Sequence, residues 1–557
     1  MATEKLKALA DRLNQEPLHP VWISRVPQEK LLSAPQQSGL PLSGLTFAVK
    51  DNMDVAGMPT TAACPAFSYV PETTAPVIKL LLDAGATLVG KTNMDQFATG
   101  LTGARSPHGA CSSVFDERYI SGGSSSGSAV AVAKDYVDFS LGTDTAGSGR
   151  VPAAFNNLIG LKPTKGLLST NGVVPACRSL DCVSLFTKTP ALALKVFRVA
   201  RQFVSQDPYS RIGQAATPWL NGPFRFGIPA EKDLEFFGDT EAAELYRKAI
   251  QRLQTINGQP VEIDYALFRR AAELLYAGPW VAERLAAIET FLAAHYDDMN
   301  PVVRDIIRGG QKYSAVDAFR GEYKLRELCR EAEAVWKRVD VLALPTTGTI
   351  FTHEQVAAEP VKRNSDLGYY TNFVNLMDLA AVALPAGFRP NGLPFGISLI
   401  GPAFSDEALL SLADTFLGAE TPLVPAQPGC IAVAVVGAHL TGQPLNHQLT
   451  SRGARLVKTS RTAPHYRLFA LEGTKPLKPG LVQEPGFTGP GIEIEVWAVP
   501  QDRFGSFVSE IPPPLGIGNA TLEDGSSVKC FICEPYALTT AKDVTHFGGW
   551  RAYLASL

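Results

Sequence analysis

Apolar and polar residues alternate with different periods in successive parts of the chain. Between residues 40 and 190, short apolar runs such as GLTFAVKD, ATLVGKT and DFSLGTD are separated by glycine-rich turns, which is typical of β-strands. Between residues 240 and 340 the period changes to 3.6, as in EAAELYRKAIQRL and WVAERLAAIETFLAAHY, which predicts helices. Strand-like runs then return in VDVLALPTT and LPFGISLIGPAF. This order predicts an α/β fold in which a mixed sheet is flanked by helices.

A change of pattern near residue 427 predicts a domain boundary. The segment 418–430, GAETPLVPAQPGC, carries three prolines and two glycines, which is typical of a linker. Strand-like runs follow it, among them IAVAVVG, HYRLFALEG, GIEIEVWAVP and SSVKCFICEP. Because 557 residues exceed what one compact core supports, we expect two domains. They are residues 1–425 and a smaller mixed β domain at residues 430–557.

Composition excludes several classes of partner. The net charge is −3 and no run of lysine and arginine appears, so we expect no nucleic-acid partner. Apolar runs such as IAVAVV are far shorter than the roughly 18 residues that span a bilayer, so we expect no membrane partner. The start, MATEKLKALADRL, is an amphipathic helix pattern unlike a signal peptide, which favours a cytoplasmic location.

The eight cysteines predict reduced thiols and no metal centre. They are scattered, and the only CxxC is Cys530–Cys533, within a strand-like segment. A zinc or redox pair would require a turn there or a second CxxC.

The stretch GGSSSGSAVAVA, residues 122–133, raises the question of which serine is reactive. GSSSG matches the nucleophile-elbow pattern G-x-S-x-G with Ser125 at its centre. Such an elbow requires an acid and a histidine in the same fold, but four of the eight histidines lie beyond the predicted boundary. A phosphate loop would require a following Lys-Ser/Thr, which is absent. Alternatively, the serines only cap the helix of AVAVAK. Taken alone, the stretch leaves these alternatives open.

Two other segments carry candidate chemistry. Lys50 ends an apolar run in FAVKDNMDVAG, and Ser148 lies between glycines in GTDTAGSGRVPA. A lysine at a strand end is usually a solvated charge. Beside buried loops it is instead a candidate base, because burial lowers the pKa of an amine and only the neutral amine accepts a proton. Serine hydroxyls both donate and accept, so they can pass that proton on.

In order and spacing, Lys50, GGSSSGS and GTDTAGS resemble the amidase signature family. The resemblance continues through GLKPTKGLLSTNGVVPACRSLDCVS and VALPAGFRPNGLPFGISLIGP, and it covers most of residues 1–420. It implies a Ser–cis-Ser–Lys triad in which Ser148 is the nucleophile and Lys50 the base. Ser124, joined to Gly123 by a cis peptide, would be the relay. The triad needs no metal and no organic cofactor.

The same resemblance implies roles for the residues around the triad. The turn Thr145, Ala146 and Gly147 would offer backbone N–H groups to an oxyanion. The substrate would lie against Gly122 and Gly123. The remaining serines of the stretch, Ser125, Ser126 and Ser128, would make loop hydrogen bonds and cap the helix.

The segment LLYAGPWVAERL points to an anionic substrate. Its helical pattern breaks at Gly278-Pro279, between Tyr276 and Arg284, and such a break can turn both side chains into one cavity. From spacing alone, a core tyrosine and a solvated arginine near Trp280 remain an alternative. However, this segment, RSPHGACSSVFDERYISGGSSSGS and RSLDCVS resemble the allophanate hydrolases, the urea-degrading branch of the family. In that branch the matching tyrosine and arginine hold the substrate carboxylate. The resemblance also implies a homodimer.

The second domain supports the same branch. VVGAHLTGQPLNHQLTSRGARLVKTSRTAPHYRLFAL is similar to the γ-glutamylcyclotransferase-like fold, which allophanate hydrolases carry behind the amidase. The resemblance implies that His439 assists loss of CO₂ from the deaminated product, while a structural histidine remains the alternative. Glu493 and Glu495 are the candidates for the cyclotransferase acid of that fold. They alternate with Ile492 and Ile494, so the alternative is that they simply face solvent.

The expected function is hydrolysis of allophanate to ammonia and carbon dioxide through an acyl-Ser148 intermediate. The alternatives are a malonamate-type amidase and a tRNA-linked amidotransferase subunit. An amidase fold kept only as a scaffold is disfavoured, because all three triad positions are present.

Overall fold

A computed structural model describes residues 2–18, 20–34, 38–213, 223–419 and 430–557. These residues form two compact units, one ending at residue 419 and one beginning at residue 430. The linker-like segment predicted at 418–430 lies almost wholly outside the described residues.

The first unit is built on one large sheet. Its strands are β1 Trp22–Arg25, β2 Thr46–Lys50, β3 Thr87–Thr92, β4 Ser112–Ser113, β5 Asp116–Ile120, β6 Phe139–Asp144, β7 Ile159–Lys162, β8 Cys182–Thr187, β9 Phe224–Pro229, β10 Gly258–Ile263, β11 Val341–Pro345, β12 Leu379–Phe388 and β13 Pro394–Pro402. Eleven of these described strands pair in the order β1-β3-β2-β6-β8-β7-β12-β13-β11-β9-β10, and β4 and β5 pair separately. β2 is parallel to β3 and β6, whereas β8 is antiparallel to β6 and β7. The sheet is therefore mixed, which confirms the predicted fold class.

Helices cover this sheet. They are α1 Ala2–Gln15, α2 Gln28–Leu32, α3 Pro76–Asp83, α4 Ser126–Ala133, α5 Val151–Phe155, α6 Pro190–Ala200, α7 Thr240–Thr255, α8 Ala266–Tyr276, α9 Trp280–Ala294, α10 Pro301–Arg308, α11 Ala315–Trp336, α12 His353–Ala358, α13 Lys362–Leu367, α14 Phe373–Leu376 and α15 Asp406–Phe416. α7 shows why the periodic segments fold as predicted. It buries Ala242, Tyr246, Ala249 and Leu253, which lie on one face of the helix, and the Asp239 side chain caps its first turn.

The arrangement of strands places the candidate residues at one edge of the sheet. Because β2 and β6 are parallel neighbours, their carboxyl ends meet at the same edge. Lys50 is the last residue of β2, and the turn 145–148 follows the last residue of β6. The stretch 122–125 enters α4, whose chain leads on to β6. All three predicted motifs therefore converge at this edge.

The second unit is a smaller mixed β structure. Its strands are β14 Cys430–Val435, β15 Arg455–Arg461, β16 Tyr466–Leu471, β17 Lys478–Gln483, β18 Glu493–Pro500, β19 Leu515–Thr521, β20 Ser527–Cys533 and β21 Lys542–Asp543, and its helices are α16 Asn446–Thr450, α17 Gln501–Val508 and α18 Trp550–Leu554. One sheet has the order β15-β18-β14-β20-β19 and the other the order β17-β16-β21. β14 is antiparallel to β18 and parallel to β20, so this unit is mixed as well.

The cysteines are reduced, as predicted. All eight are free thiols, and Cys530 and Cys533 lie on β20 rather than in a turn. No cluster of potential metal ligands occurs in the described part of the chain. None of the helices described here is both long and apolar enough to cross a membrane.

Candidate active site

Lys50 is a buried amine held between two hydroxyls. Its side chain is fully buried, and Nζ lies 2.7 Å from both Ser124 Oγ and Thr143 Oγ1. Burial lowers the pKa of Lys50 to about 7, although the nearby carboxylates of Asp95 and Asp181 oppose this shift. A substantial fraction of the amine is therefore neutral near pH 7 and able to accept a proton.

Ser124 meets the lysine because its backbone is unusual. The Gly123–Ser124 peptide bond is cis, as the family resemblance implies, and Gly122 has φ +73°. No side chain fits at Gly123, because a Cβ atom there would lie 2.3 Å from Asp95 Oδ2 and 2.4 Å from Gly103 N. Both glycines are thus required for the backbone to bring Ser124 Oγ to Lys50.

Ser148 lies beside this pair at the turn after β6. Only 3% of it is exposed, and its Oγ donates a long hydrogen bond of 3.5 Å to Gly100 O. Among the described residues, no hydrogen bond joins Ser148 to Ser124. The contact that would carry a proton from Ser148 to Ser124 is therefore not formed here. Catalytic hydrogen bonds are often long without substrate and shorten when it binds.

The turn that carries Ser148 is fixed by a buried ion pair. Asp144 and Arg150 make two hydrogen bonds of 2.9 Å, and both side chains are fully buried. Asp144 also accepts hydrogen bonds from the N–H groups of Gly147 and Gly149. Of the three residues predicted to bind an oxyanion, Gly147 therefore has its N–H already occupied. The Thr145 and Ala146 N–H groups make no hydrogen bond to a described residue.

Asp181 holds the start of this turn. Thr145 Oγ1 donates to Asp181 Oδ1 at 2.5 Å, and the N–H groups of Ala176 and Cys177 also donate to the carboxylate. Burial raises the pKa of Asp181 to about 6, even though these hydrogen bonds lower it. Asp181 thus has two roles. It positions Thr145, and its carboxylate lies close enough to Lys50 to raise the pKa of that amine.

Tyr276 and Arg284 are brought together by the break between α8 and α9. α8 ends at Tyr276 and α9 begins at Trp280, as the sequence predicts. Arg284 donates to Tyr276 OH at 3.3 Å and to Thr99 Oγ1 at 3.2 Å. Only 2% of Arg284 is exposed, which excludes the solvated arginine that spacing alone left open.

Arg284 makes no salt bridge to a described residue, but it is not electrostatically isolated. Burial lowers its pKa, and Tyr276, Cys177 and the carboxylates of Asp181 and Glu283 together outweigh that effect. No carboxylate among the described residues lies within salt-bridge distance of its guanidinium group, and its Nε is buried without a hydrogen bond. Thr99, one of its two partners, precedes Gly100, which accepts the hydrogen bond from Ser148. A buried guanidinium without a salt bridge is thus linked to the candidate nucleophile through the segment Thr99–Gly100.

The remaining serines of the stretch are structural. Ser126 Oγ donates to Asn93 O, and Ser128 Oγ donates to Leu141 O. Both are structural hydrogen bonds, as predicted, but both serines lie within α4 rather than in a loop. The predicted helix cap is wrong. Ser125 occupies the N-cap position of α4, but its hydroxyl bonds to the backbone N–H and C=O of Thr143 in β6. The elbow pattern at Ser125 is thus used to join α4 to the sheet.

In the second unit, His439 lines a cavity of about 130 Å³ after β14. Its Nε2 lies 2.7 Å from Gln448 Oε1, and its ring stacks on Phe531. Because the amide oxygen can only accept, this contact places the proton on Nε2 and leaves Nδ1 as an acceptor. Burial lowers the pKa of His439, so the ring is neutral at pH 7.

The alternative in which Glu493 and Glu495 simply face solvent is wrong for Glu495. Only 3% of Glu495 is exposed, and its carboxylate accepts hydrogen bonds from Arg551, Thr441 and Trp497. Glu493 is half-buried and also pairs with Arg551. The arginine, distant in sequence, neutralises both carboxylates, and a strand pattern cannot reveal such a partner.

Sequence reasoning missed three polar contacts of the site. Thr143 holds the lysine amine, Thr99 holds Arg284, and Asp181 holds Thr145. The first lies within the quoted GTDTAGS segment and the last within RSLDCVS, so both were visible but without an assigned partner. No motif or spacing in the sequence pointed to Thr99, because only the folded chain brings it into contact with Arg284 of α9.

Comparison with known proteins shows the family to which this chain belongs. The family model described as amidase matches residues 4–410. This chain belongs to the amidase family. Behind the amidase region, the model for the allophanate hydrolase C-terminal domain matches residues 431–555.

Three relatives of this amidase-family chain show how much of it known proteins match. It is 44% identical to the solved allophanate hydrolase of Kluyveromyces lactis, covering all of this chain and 97% of that one, with a TM-score of 0.86. It is 45% identical to the urea amidolyase of Saccharomyces cerevisiae over 99% of this chain, but it spans only 32% of that protein. Identity to a glutamyl-tRNA(Gln) amidotransferase subunit from Methanospirillum hungatei is 31% over 67% of this chain and 92% of that protein. The amidotransferase subunit thus matches only about two thirds of this chain, although most of its own length is covered.

Proposed function

We propose that this chain is an allophanate hydrolase, which releases ammonia from allophanate by way of an acyl-Ser148 intermediate. The observation that carries the proposal is the buried guanidinium of Arg284, which has no salt bridge to a described residue and is linked to Ser148 through the segment Thr99–Gly100. A buried charge without a salt bridge is costly, so the site favours a ligand that brings the opposite charge.

The chemistry of Arg284 selects a carboxylate. A guanidinium group can donate two parallel hydrogen bonds to one carboxylate, and the Tyr276 hydroxyl adds a third donor on the same side. Allophanate carries its carboxylate two bonds from the carbon of the scissile amide. A small anionic amide held at Arg284 therefore presents its amide carbon to Ser148, because Thr99 and Gly100 join the two groups.

The proton moves along the hydroxyls of the triad. Neutral Lys50 accepts the proton of Ser124, which in turn takes the proton of Ser148 as Ser148 Oγ attacks the amide carbon. The Thr145 and Ala146 N–H groups stabilise the oxyanion. As the tetrahedral intermediate collapses, the proton returns through Ser124 to the leaving nitrogen, and ammonia departs. Water then attacks the acyl-Ser148 ester by the same route and releases N-carboxycarbamate.

The second unit is proposed to assist the next step, which is loss of CO₂ from N-carboxycarbamate. Its match to the allophanate hydrolase C-terminal domain and the small cavity at His439 support this role. In that cavity the neutral imidazole would orient the substrate by accepting, at Nδ1, a hydrogen bond from a substrate N–H rather than by charge.

An ammonia-release assay separates the candidates. We expect turnover of allophanate, with two ammonia molecules formed for each allophanate consumed, and much weaker turnover of malonamate and biuret. Equal or better use of malonamate would identify a malonamate-type amidase. Ammonia release from glutamine, without turnover of allophanate, would favour the amidotransferase.

A further inference from the structure

A second polar cavity lies in the first unit and is lined in part by the segment 178–181. Its volume is about 360 Å³, which is enough for a small organic molecule. The walls come from the loop after β7, the segment 178–181, the start of α9, the middle of α11 and residues 376–378. Neither Ser148 nor Arg284 lines it.

The charges in this cavity are unbalanced. The cations that line it are Lys165, Arg178, Arg211 and Arg326, and the carboxylates are Asp181, Glu322 and Asp378. Arg211 pairs with Asp378 at 2.9 Å, and Arg326 pairs with Glu322 at 2.9 Å. The Asp181 carboxylate is directed to Thr145 and to backbone N–H groups. Lys165 and Arg178 thus have no carboxylate within salt-bridge distance among the described residues.

Lys165 shows the excess of positive charge more clearly than Arg178 does, because much of its side chain is shielded from water. Burial lowers the pKa of Lys165; the Asp378 carboxylate opposes this shift, and the weaker effects of the cations Lys162 and Arg211 add to it. Its only hydrogen bond among the described residues is to Ser179 O, at 3.3 Å. An ammonium group in such surroundings is stabilised by a bound anion more than a solvated one would be.

Arg178 is the second cation of the cavity without a salt bridge to a described residue. Its guanidinium group is exposed at the cavity wall and makes no hydrogen bond to a described residue. The backbone that carries it is fixed, because Glu283 of α9 accepts hydrogen bonds of 2.7 Å from both the N–H and the hydroxyl of Ser179. An arginine and a lysine that line the same cavity match a small carboxylate, since the planar guanidinium fork binds two carboxylate oxygens and the ammonium adds a further donor.

We propose that this cavity is a second anion site, which binds a small carboxylate independently of Arg284. The proposal concerns binding only, so it does not depend on which amide the triad hydrolyses.

The test uses malonate as a probe and the full chain carrying Arg284→Ala and His439→Ala. These changes remove the anion contact near Ser148 and the histidine of the proposed dicarboxylate site in the second unit. Calorimetry should still detect one malonate per chain, and the neutral analogue malonamide should not bind. Adding Lys165→Met and Arg178→Ala should weaken malonate binding by at least about tenfold. As a matched control, Lys79→Ala and Arg118→Ala remove two cations at exposed positions outside the cavity and should leave the affinity unchanged.

A second measurement guards against misfolding. With the natural residues at 284 and 439, Lys165→Met and Arg178→Ala should keep ammonia release within about twofold, since neither residue touches the triad. Three results would overturn the proposal: no malonate binding once Arg284 and His439 are removed, equal binding of malonamide, or binding that survives the loss of both Lys165 and Arg178.

Discussion

At the level of single residues, position in the fold determines which of several identical side chains is reactive. Ser124 and Ser125 are adjacent and both fully buried, yet one faces the Lys50 amine and the other the backbone of β6. Lys50 and Lys91 are both buried lysines, but Lys91 lies 3.4 Å from the Asp51 carboxylate, whereas Lys50 contacts only hydroxyls. A lysine paired with a carboxylate favours its charged form, so Lys50 is the better base.

Replacing the nucleophile should abolish the reaction. Ser148→Ala should lower activity by at least about 10³-fold and remove labelling by serine-reactive phosphonates. Ser125→Ala is the matched control, because it deletes a buried hydroxyl that bonds only to Thr143 backbone groups, and its loss should be mild. Ammonia release and mass spectrometry of labelled protein check both. If Ser125→Ala were as inactive as Ser148→Ala, the elbow interpretation would return.

The pH profile should report the Lys50 amine. Because only the neutral amine accepts a proton, kcat/KM should rise with pH through about 7 and fall about tenfold per unit below it. Asp181, with a pKa of about 6, titrates close by. Asp181→Asn removes a nearby negative charge and so lowers the pKa of Lys50. The rise of kcat/KM with pH should therefore shift to lower pH but should not disappear. A profile that is flat from pH 6 to 9 would be incompatible with Lys50 as the base.

Arg284 should distinguish anionic from neutral substrates. Arg284→Ala leaves the substrate carboxylate unpaired, a cost of roughly 2–5 kcal/mol. That cost corresponds to a fall in kcat/KM for allophanate of about 30-fold to several thousand-fold. Arg284→Lys should recover part of the loss, and Tyr276→Phe should lose less, since it removes one neutral donor. Turnover of biuret, which has no carboxylate, should hardly change; an equal loss on both substrates would make Arg284 structural.

At the scale of elements, the hydrophobic pattern of the sequence predicted most of the strands and helices around the site. The strands that carry GLTFAVKD and DFSLGTD, the helices between residues 240 and 340, and the break at Gly278-Pro279 all occur as predicted. The backbone at the break leaves no room for a side chain, because a Cβ at Gly278 would lie 2.3 Å from Leu274 O. The polar partners could not be predicted. Hydrogen bonds such as Thr145–Asp181 join segments distant in sequence, and periodicity specifies which face a residue occupies but not which atom it meets.

The turn before α4 should tolerate no side chain. Gly123→Ala would place a methyl group against Asp95 and the backbone of Gly103, which cannot move away as a flexible side chain could. We expect the variant to lose about 1–3 kcal/mol or more of unfolding free energy and most activity. Gly309→Ala, in open space at φ −55°, is the control and should be neutral. Thermal unfolding and ammonia release measure both; a stable, active Gly123→Ala protein would refute the close packing.

At the scale of the whole molecule, two units with separate cores carry two separate sites. The large mixed sheet brings Lys50, Ser124 and Ser148 together, while His439 lies among the buried residues of the second unit. In the proposed function these sites act in sequence. The first forms a dicarboxylate by hydrolysis, and the second removes CO₂ from it. Because each site is assembled wholly within its own unit, each step should be separable by mutation.

Removing residues 430–557 should therefore leave the first step intact. The shortened chain keeps the whole sheet of the first unit and every residue near Lys50, so it should still release the first ammonia from allophanate. In the full chain, His439→Ala should slow the appearance of CO₂ and the second ammonia more than the first. Its control is His447→Ala, an exposed histidine eight residues along that bonds only to Pro444 O. Rapid-quench assays that count ammonia and CO₂ separately would follow both steps. Loss of the first ammonia in the shortened chain, provided it remains folded by circular dichroism, would show that the second unit also supports the triad.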